Sequence, residues 1–73
     1  MPIKNIRIHF KDDKNIRLVK KGHMWMDLNS PEVMVSEKVV KRMMRKILTE
    51  IDRIATIFLD DRKVTKEYFL RIW

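Results

Sequence analysis

Glu37-Lys38-Val39-Val40-Lys41-Arg42-Met43-Met44-Arg45-Lys46-Ile47-Leu48-Thr49-Glu50-Ile51-Asp52-Arg53-Ile54-Ala55-Thr56-Ile57-Phe58-Leu59 is the stretch whose reading decides the fold. Val40, Met44, Ile47, Ile51, Ile54 and Phe58 are separated by four, three, four, three and four residues. Residues three and four apart share one face of an α-helix, so this spacing is a heptad seam. Met43, Leu48, Ala55 and Ile57 widen it into a broad core-facing stripe, and no Gly or Pro interrupts it. The pattern predicts one long helix from about 37 to 59, within a segment 36–61, as the main core surface.

Upstream, the period changes. Ile6, Ile8 and Phe10 alternate with Arg7 and His9, as in a half-buried strand. Lys11-Asp12-Asp13-Lys14-Asn15 has turn chemistry, and Ile16 to about Lys20 predicts the second strand of a hairpin. Arg7 and Arg17 then both lie on the face away from the apolar residues. Beyond a turn at Gly22, Met24-Trp25-Met26-Asp27-Leu28 predicts a third strand with Met24, Met26 and Leu28 on one side. Asn29-Ser30-Pro31-Glu32 reads as its stop, Val33-Met34-Val35 as a short buried strand, and Ser36-Glu37 as the helix start. Downstream, Asp60-Asp61-Arg62-Lys63 breaks the helical pattern. Residues 64–73 suit either a short helix capped by Thr65 or a strand, with the helix preferred. The expected fold is thus a single α+β domain over 1–73. It has a small antiparallel sheet in 1–35, one long helix, and a short C-terminal element.

Composition narrows the chemistry. The chain has no cysteine, which excludes disulfides, thiolate metal sites and cysteine nucleophiles. Gly22 is the sole glycine, too few for any phosphate-cradling loop. Ser30 and Ser36 sit where caps are expected, and His9 and His23 are the only histidines, so no catalytic triad is indicated. Asp12-Asp13 and Asp60-Asp61 lie beside Lys or Arg in turns. His23, Met24 and Met26 include soft ligands, but a strand sends His23 and the methionines to opposite sides, and the methionines read as core filler. No catalytic residue, metal or cofactor is expected. No apolar run approaches the roughly 18 residues of a membrane span, and Lys4 and Arg7 interrupt any leader-like segment. The expectation is a cytoplasmic chain without a membrane partner.

The positive indication is charge. Seventeen Lys and Arg oppose ten Asp and Glu, for a net +7. A balance of this kind suits a polyanionic partner. Lys38, Lys41, Arg42, Arg45 and Lys46 recur at helical spacing between the apolar pairs, which puts five cations on one face. In a helix running to Leu59 they occupy the N-terminal half, where the macrodipole disfavours them. Two functions follow as expectations. One is a small, non-enzymatic nucleic-acid-binding or transcription-associated protein. Those five cations would contact phosphates of duplex DNA, with Arg7 and Arg17 extending the surface. The other is a regulator or inhibitor of the phage or mobile-element type, docking its basic face on an acidic surface of a larger enzyme. Ser36 before a basic helix also suits a helix-turn-helix, but that motif needs a helix upstream, where Pro31 and an extended stretch stand.

A helix of that length would span about 35 Å. A globule of this size has a diameter of about 29 Å. The overhang would expose Ile54, Ile57, Phe58 and Leu59, which predicts self-association as a homodimer.

Overall fold

The structure, a computed structural model, describes residues 3–72. Its elements are β1 (Asn5–Phe10), β2 (Asn15–Lys21), β3 (Met24–Asp27), β4 (Ser30–Ser36), α1 (Glu37–Leu48), a 3-10 turn (Ile51–Arg53), β5 (Ile54–Leu59), β6 (Arg62–Val64) and α2 (Lys66–Ile72). The class is α+β. All six strands form one sheet in the order β4-β3-β2-β1-β5-β6, and every neighbouring pair is antiparallel.

Hairpin chemistry sets the meander. Asp13, with φ 68°, closes the β1–β2 turn, where the Phe10 N–H donates to Lys14 O at 2.8 Å. Gly22, with φ 63°, takes the left-handed position between the paired Lys21 and Met24. Asp60 and Asp61, with φ 51° and 65°, make a two-residue turn between the paired Leu59 and Arg62. Positive φ at both central residues is the type I′ signature that matches strand twist, and Asp tolerates it better than most residues.

The cross-strand pairs Ile6–Leu18, Ile8–Ile16, Ile6–Leu59 and Ile8–Ile57 put one apolar set on one face. Both helices cover that face. Val40, Met44 and Ile47 of α1 and Phe69 of α2 join Ile6, Ile8, Leu18, Trp25, Ile54, Ile57 and Leu59 in a single core. Among the described residues no helix covers the other face of the sheet, so they form two layers.

The helix start is as expected: Ser36 Oγ accepts the Val39 N–H, and Glu37 lies in the first turn. β4 precedes it, so the upstream helix of a helix-turn-helix is absent. In the tail, Thr65 Oγ1 accepts the Tyr68 N–H and α2 begins at Lys66. Trp73, the end of the expected C-terminal element, lies outside the described residues, as do residues 1–2 of the expected domain.

Four expectations are corrected. The expected short buried strand at Val33–Val35 is the seven-residue edge strand β4, which runs through part of the expected stop and leaves Val33 and Met34 exposed. The helix is twelve residues long, not twenty-three, and stops at Thr49, whose N–H bonds back to Lys46 O. Residues 54–64 instead supply two strands that extend the sheet beyond residue 36. The strong β-formers Ile54, Thr56, Ile57 and Phe58 find a partner strand in β1, and this outweighs their helical spacing. Consequently the overhang vanishes: α1 spans about 18 Å inside a body of 29 × 26 × 21 Å. Ile54, Ile57 and Leu59 are buried in the chain's own core, and only Phe58 of the expected self-association set lies outside it. Finally, β3 is turned over. Trp25 faces the core, and Met24 and Met26 face the open side, because the indole buries more apolar area and its N–H finds a carboxylate.

Candidate nucleic-acid interface

α1 is built with one apolar and one cationic side. At about 100° per residue, Lys41, Arg45, Lys38, Arg42 and Lys46 fan across an arc of about 140° opposite Val40, Met44 and Ile47. All five are exposed. Among the described residues the ion pairs are Lys20–Glu37, Arg53–Asp12 and Arg53–Glu50, so none of the five is in one. The only acid of the helix is engaged by other groups. Glu37 Oε2 accepts the Trp25 indole N–H at 2.6 Å and faces Lys20 Nζ at 3.7 Å. α1 therefore carries a net charge of +4, five cations against Glu37, within twelve residues.

The shorter helix also changes the dipole reading. Arg45 and Lys46 fall in the last turn, where the C-terminal carbonyls favour cations. Only Lys38 remains at the unfavourable end.

Arg7 and Arg17 do not extend this surface. They face each other across β1 and β2 on the side opposite Ile6, Ile8 and Leu18. The core and the sheet itself separate them from α1. The seven cations anticipated as one surface are thus divided between the two outer faces of the molecule.

On the open sheet face Arg7 has aromatic company. Its guanidinium carbon lies 4.5 Å from the centre of the Phe58 ring, and His9 meets that ring edge-on at 6.2 Å and 77°. Arg7 Nε is shielded from solvent and has no hydrogen-bond partner, and the ring is the neighbour of the group. Lys63 is paired with Phe58 on the far side. His9 and Lys63 were not distinguished in the sequence as members of a site, and Phe58 was expected only in a self-association patch, not beside Arg7. The legible signal was the alternation Thr56-Ile57-Phe58-Leu59, which separates Phe58 from the core once the segment is a strand.

The paired aspartates serve the turns. Asp60 Oδ1 accepts the Lys4 and Asn5 N–H groups at 2.9 and 3.0 Å. Asp12 accepts from Lys14 N and from Arg53 Nη2, at 3.3 and 3.1 Å. Desolvation pushes the Asp12 carboxyl up, but the Lys14 amide, the Arg53 guanidinium and the Lys14 charge together hold it below its ordinary value. Among the described residues no group of three or more His, Asp or Glu could hold a metal ion. No described helix is long and apolar enough to cross a membrane. A cleft of about 710 Å³ between the β5–β6 hairpin and α2 is lined by Leu59, Val64 and Tyr68 with Asp60, Arg62 and Lys63. No protein-family model matches this chain, and no curated protein or solved structure matches it.

Proposed function

We propose that this chain is a small, non-enzymatic nucleic-acid-binding protein that contacts duplex phosphates through the outer face of α1. The supporting observation is the set of five exposed cations without an ion pair on a twelve-residue helix whose one acid is engaged by Trp25 and Lys20. Phosphate contacts need cations that are free and held in register, and a rigid helix provides both. The face carries no aromatic side chain and so offers duplex backbone charge, not ring stacking.

The test is a titration of labelled random-sequence duplex DNA at about 50 and 150 mM salt. Neutralising about four phosphates gives a slope of log K against log[salt] of about −3.6, at −0.9 per contact. Replacing Lys41, Arg42 and Arg45 by Gln flattens that slope by about 2.7 and weakens binding to all duplexes alike. The fold persists, because these side chains lie away from the core. Absence of binding tighter than ~10⁻⁴ M at both salts would reject the reading.

A second reading, a regulator docking on an acidic protein surface, draws on exposed Val39, an apolar side chain on the same helix at 37% exposure. Interface patches commonly mix such groups with arginine. This reading expects no duplex affinity at physiological salt and a stoichiometric complex with an acidic partner.

A further inference from the structure

We infer that the open face of the sheet binds single-stranded nucleic acid, through a platform formed by Phe58, Arg7 and His9 and flanked by Lys63 and Arg17. The inference extends the nucleic-acid reading to a second surface, on the opposite layer from α1.

Lys63, Phe58, Arg7 and Arg17 stand in register on four adjacent strands, β6, β5, β1 and β2. At a strand spacing of about 4.8 Å the row extends about 14 Å. Its pairing is costly without an external anion. Like charges directly opposite each other in a sheet repel, and Arg7 is paired with Arg17. No outward-facing paired position of β1, β2, β5 or β6 is Asp or Glu. The nearby carboxylates Asp12 and Asp60 are taken up by Arg53 and by the Lys4 and Asn5 amides. The paired positions of these four strands are therefore complementary to negative charge and contain none.

Its rings distinguish the kind of polyanion. The Arg7 guanidinium carbon lies over the Phe58 ring, and His9 stands edge-on beside it. An arginine plane held against a ring leaves a flat cationic surface, on which an unpaired base stacks. Stacking platforms bordered by Lys and Arg are how single strands are held without sequence readout. A duplex keeps its bases stacked on one another and would leave these rings unused. An acidic peptide would satisfy the cations and likewise make no use of the planar groups of Arg7 and His9.

The test measures anisotropy of labelled dT12 and U12 against a duplex of the same length, using the full chain and three variants. Phe58→Leu keeps an apolar side chain but removes the ring. It should weaken single-strand binding by about 5- to 100-fold, with duplex binding unchanged. Arg17→Gln with Lys63→Gln should flatten the single-strand salt slope by about 1.4, at about 0.7 per contact. The Lys41, Arg42 and Arg45 to Gln variant should lose duplex affinity and keep the effect of Phe58→Leu on single strands. Circular dichroism confirms folding of each variant.

If the parent binds duplex but not dT12 or U12, the inference fails and the reading of α1 stands. If single strands bind but α1 substitutions abolish this binding while Phe58→Leu does not, the inference also fails. Binding to dT12 or U12 without duplex binding would support the inference and reject the reading of α1. Sedimentation supplies a further check. A dimer that dissociates on Met26→Lys and excludes dT12 would assign the face to a second copy and overturn the proposal.

Discussion

Trp25 joins the two layers of the molecule at one side chain. Its ring is 1% exposed, and its indole N–H donates to Glu37 at the first turn of α1. Trp25→Phe keeps most of the apolar burial and removes that bond, so it should cost about 1–2 kcal/mol in denaturant unfolding. Trp25→Ala should cost about 3–5 kcal/mol. The hydrogen bond was not legible in the sequence, because it joins residues from different elements and follows from β3 presenting Trp25 inward. Asp60 holds the chain's start to the β5–β6 turn while adopting a positive φ. Asp60→Ala loses both acceptor bonds and strains the backbone, an expected loss of about 1–3 kcal/mol. Asp60→Asn, which tolerates the same backbone and keeps one acceptor, should lose less. The Asp12 carboxyl is held lower in the folded chain than its ordinary value of 3.8. Its contribution is therefore present above that value and fades as pH falls through the lower, folded one. Asp12→Asn should remove that part of the acid limb in a plot of stability against pH.

At the scale of elements, the segment 37–59 shows how a strand imitates a helix. The interval of three between Ile54 and Ile57 fits a helical seam, yet both residues are buried on one face of β5. The cause is a bulge: Thr56 is paired with His9 and Ile54 with Phe10, leaving Ala55 unpaired between them. An extra residue turns a two-residue alternation into a spacing of three. Periodicity alone cannot separate this from a helix, although the β-branched run and the following Asp-Asp turn were visible. The first part of the seam was legible because Val40, Met44 and Ile47 obey both the period and the Ser36 cap. Ile47→Ala and Ile54→Ala should each cost about 2–5 kcal/mol. Ile51→Ala, in the 3-10 turn and only partly buried, should cost less than either. Equal losses at Ile47 and Ile51 would fit a continuous helix, as would circular dichroism showing more helix than α1 and α2 together provide.

For the whole molecule, the cationic residues of α1 were legible, but their separation from Arg7 and Arg17 was not. That separation depends on which layer each element joins, a property no local pattern carries. The net charge of +7 is untouched by the three ion pairs among the described residues, since pairing opposite charges leaves the sum unchanged. Raising salt from about 50 to 300 mM should screen this self-repulsion and raise the melting temperature. In a domain of this size each kcal/mol recovered moves it by about 4–8 °C. A melting temperature that falls with salt would show that the cations are offset within the fold. The position of β1 has a consequence for the chain as it leaves the ribosome. β2 follows β1 almost at once, whereas β5, its other neighbour, ends only at Leu59. Until then the growing chain can build its first four strands with one side of β1 bare, its amides and carbonyls open to another strand. The protein is most prone to pair with a wrong partner during that interval, and the arrival of Ile54–Leu59 closes it.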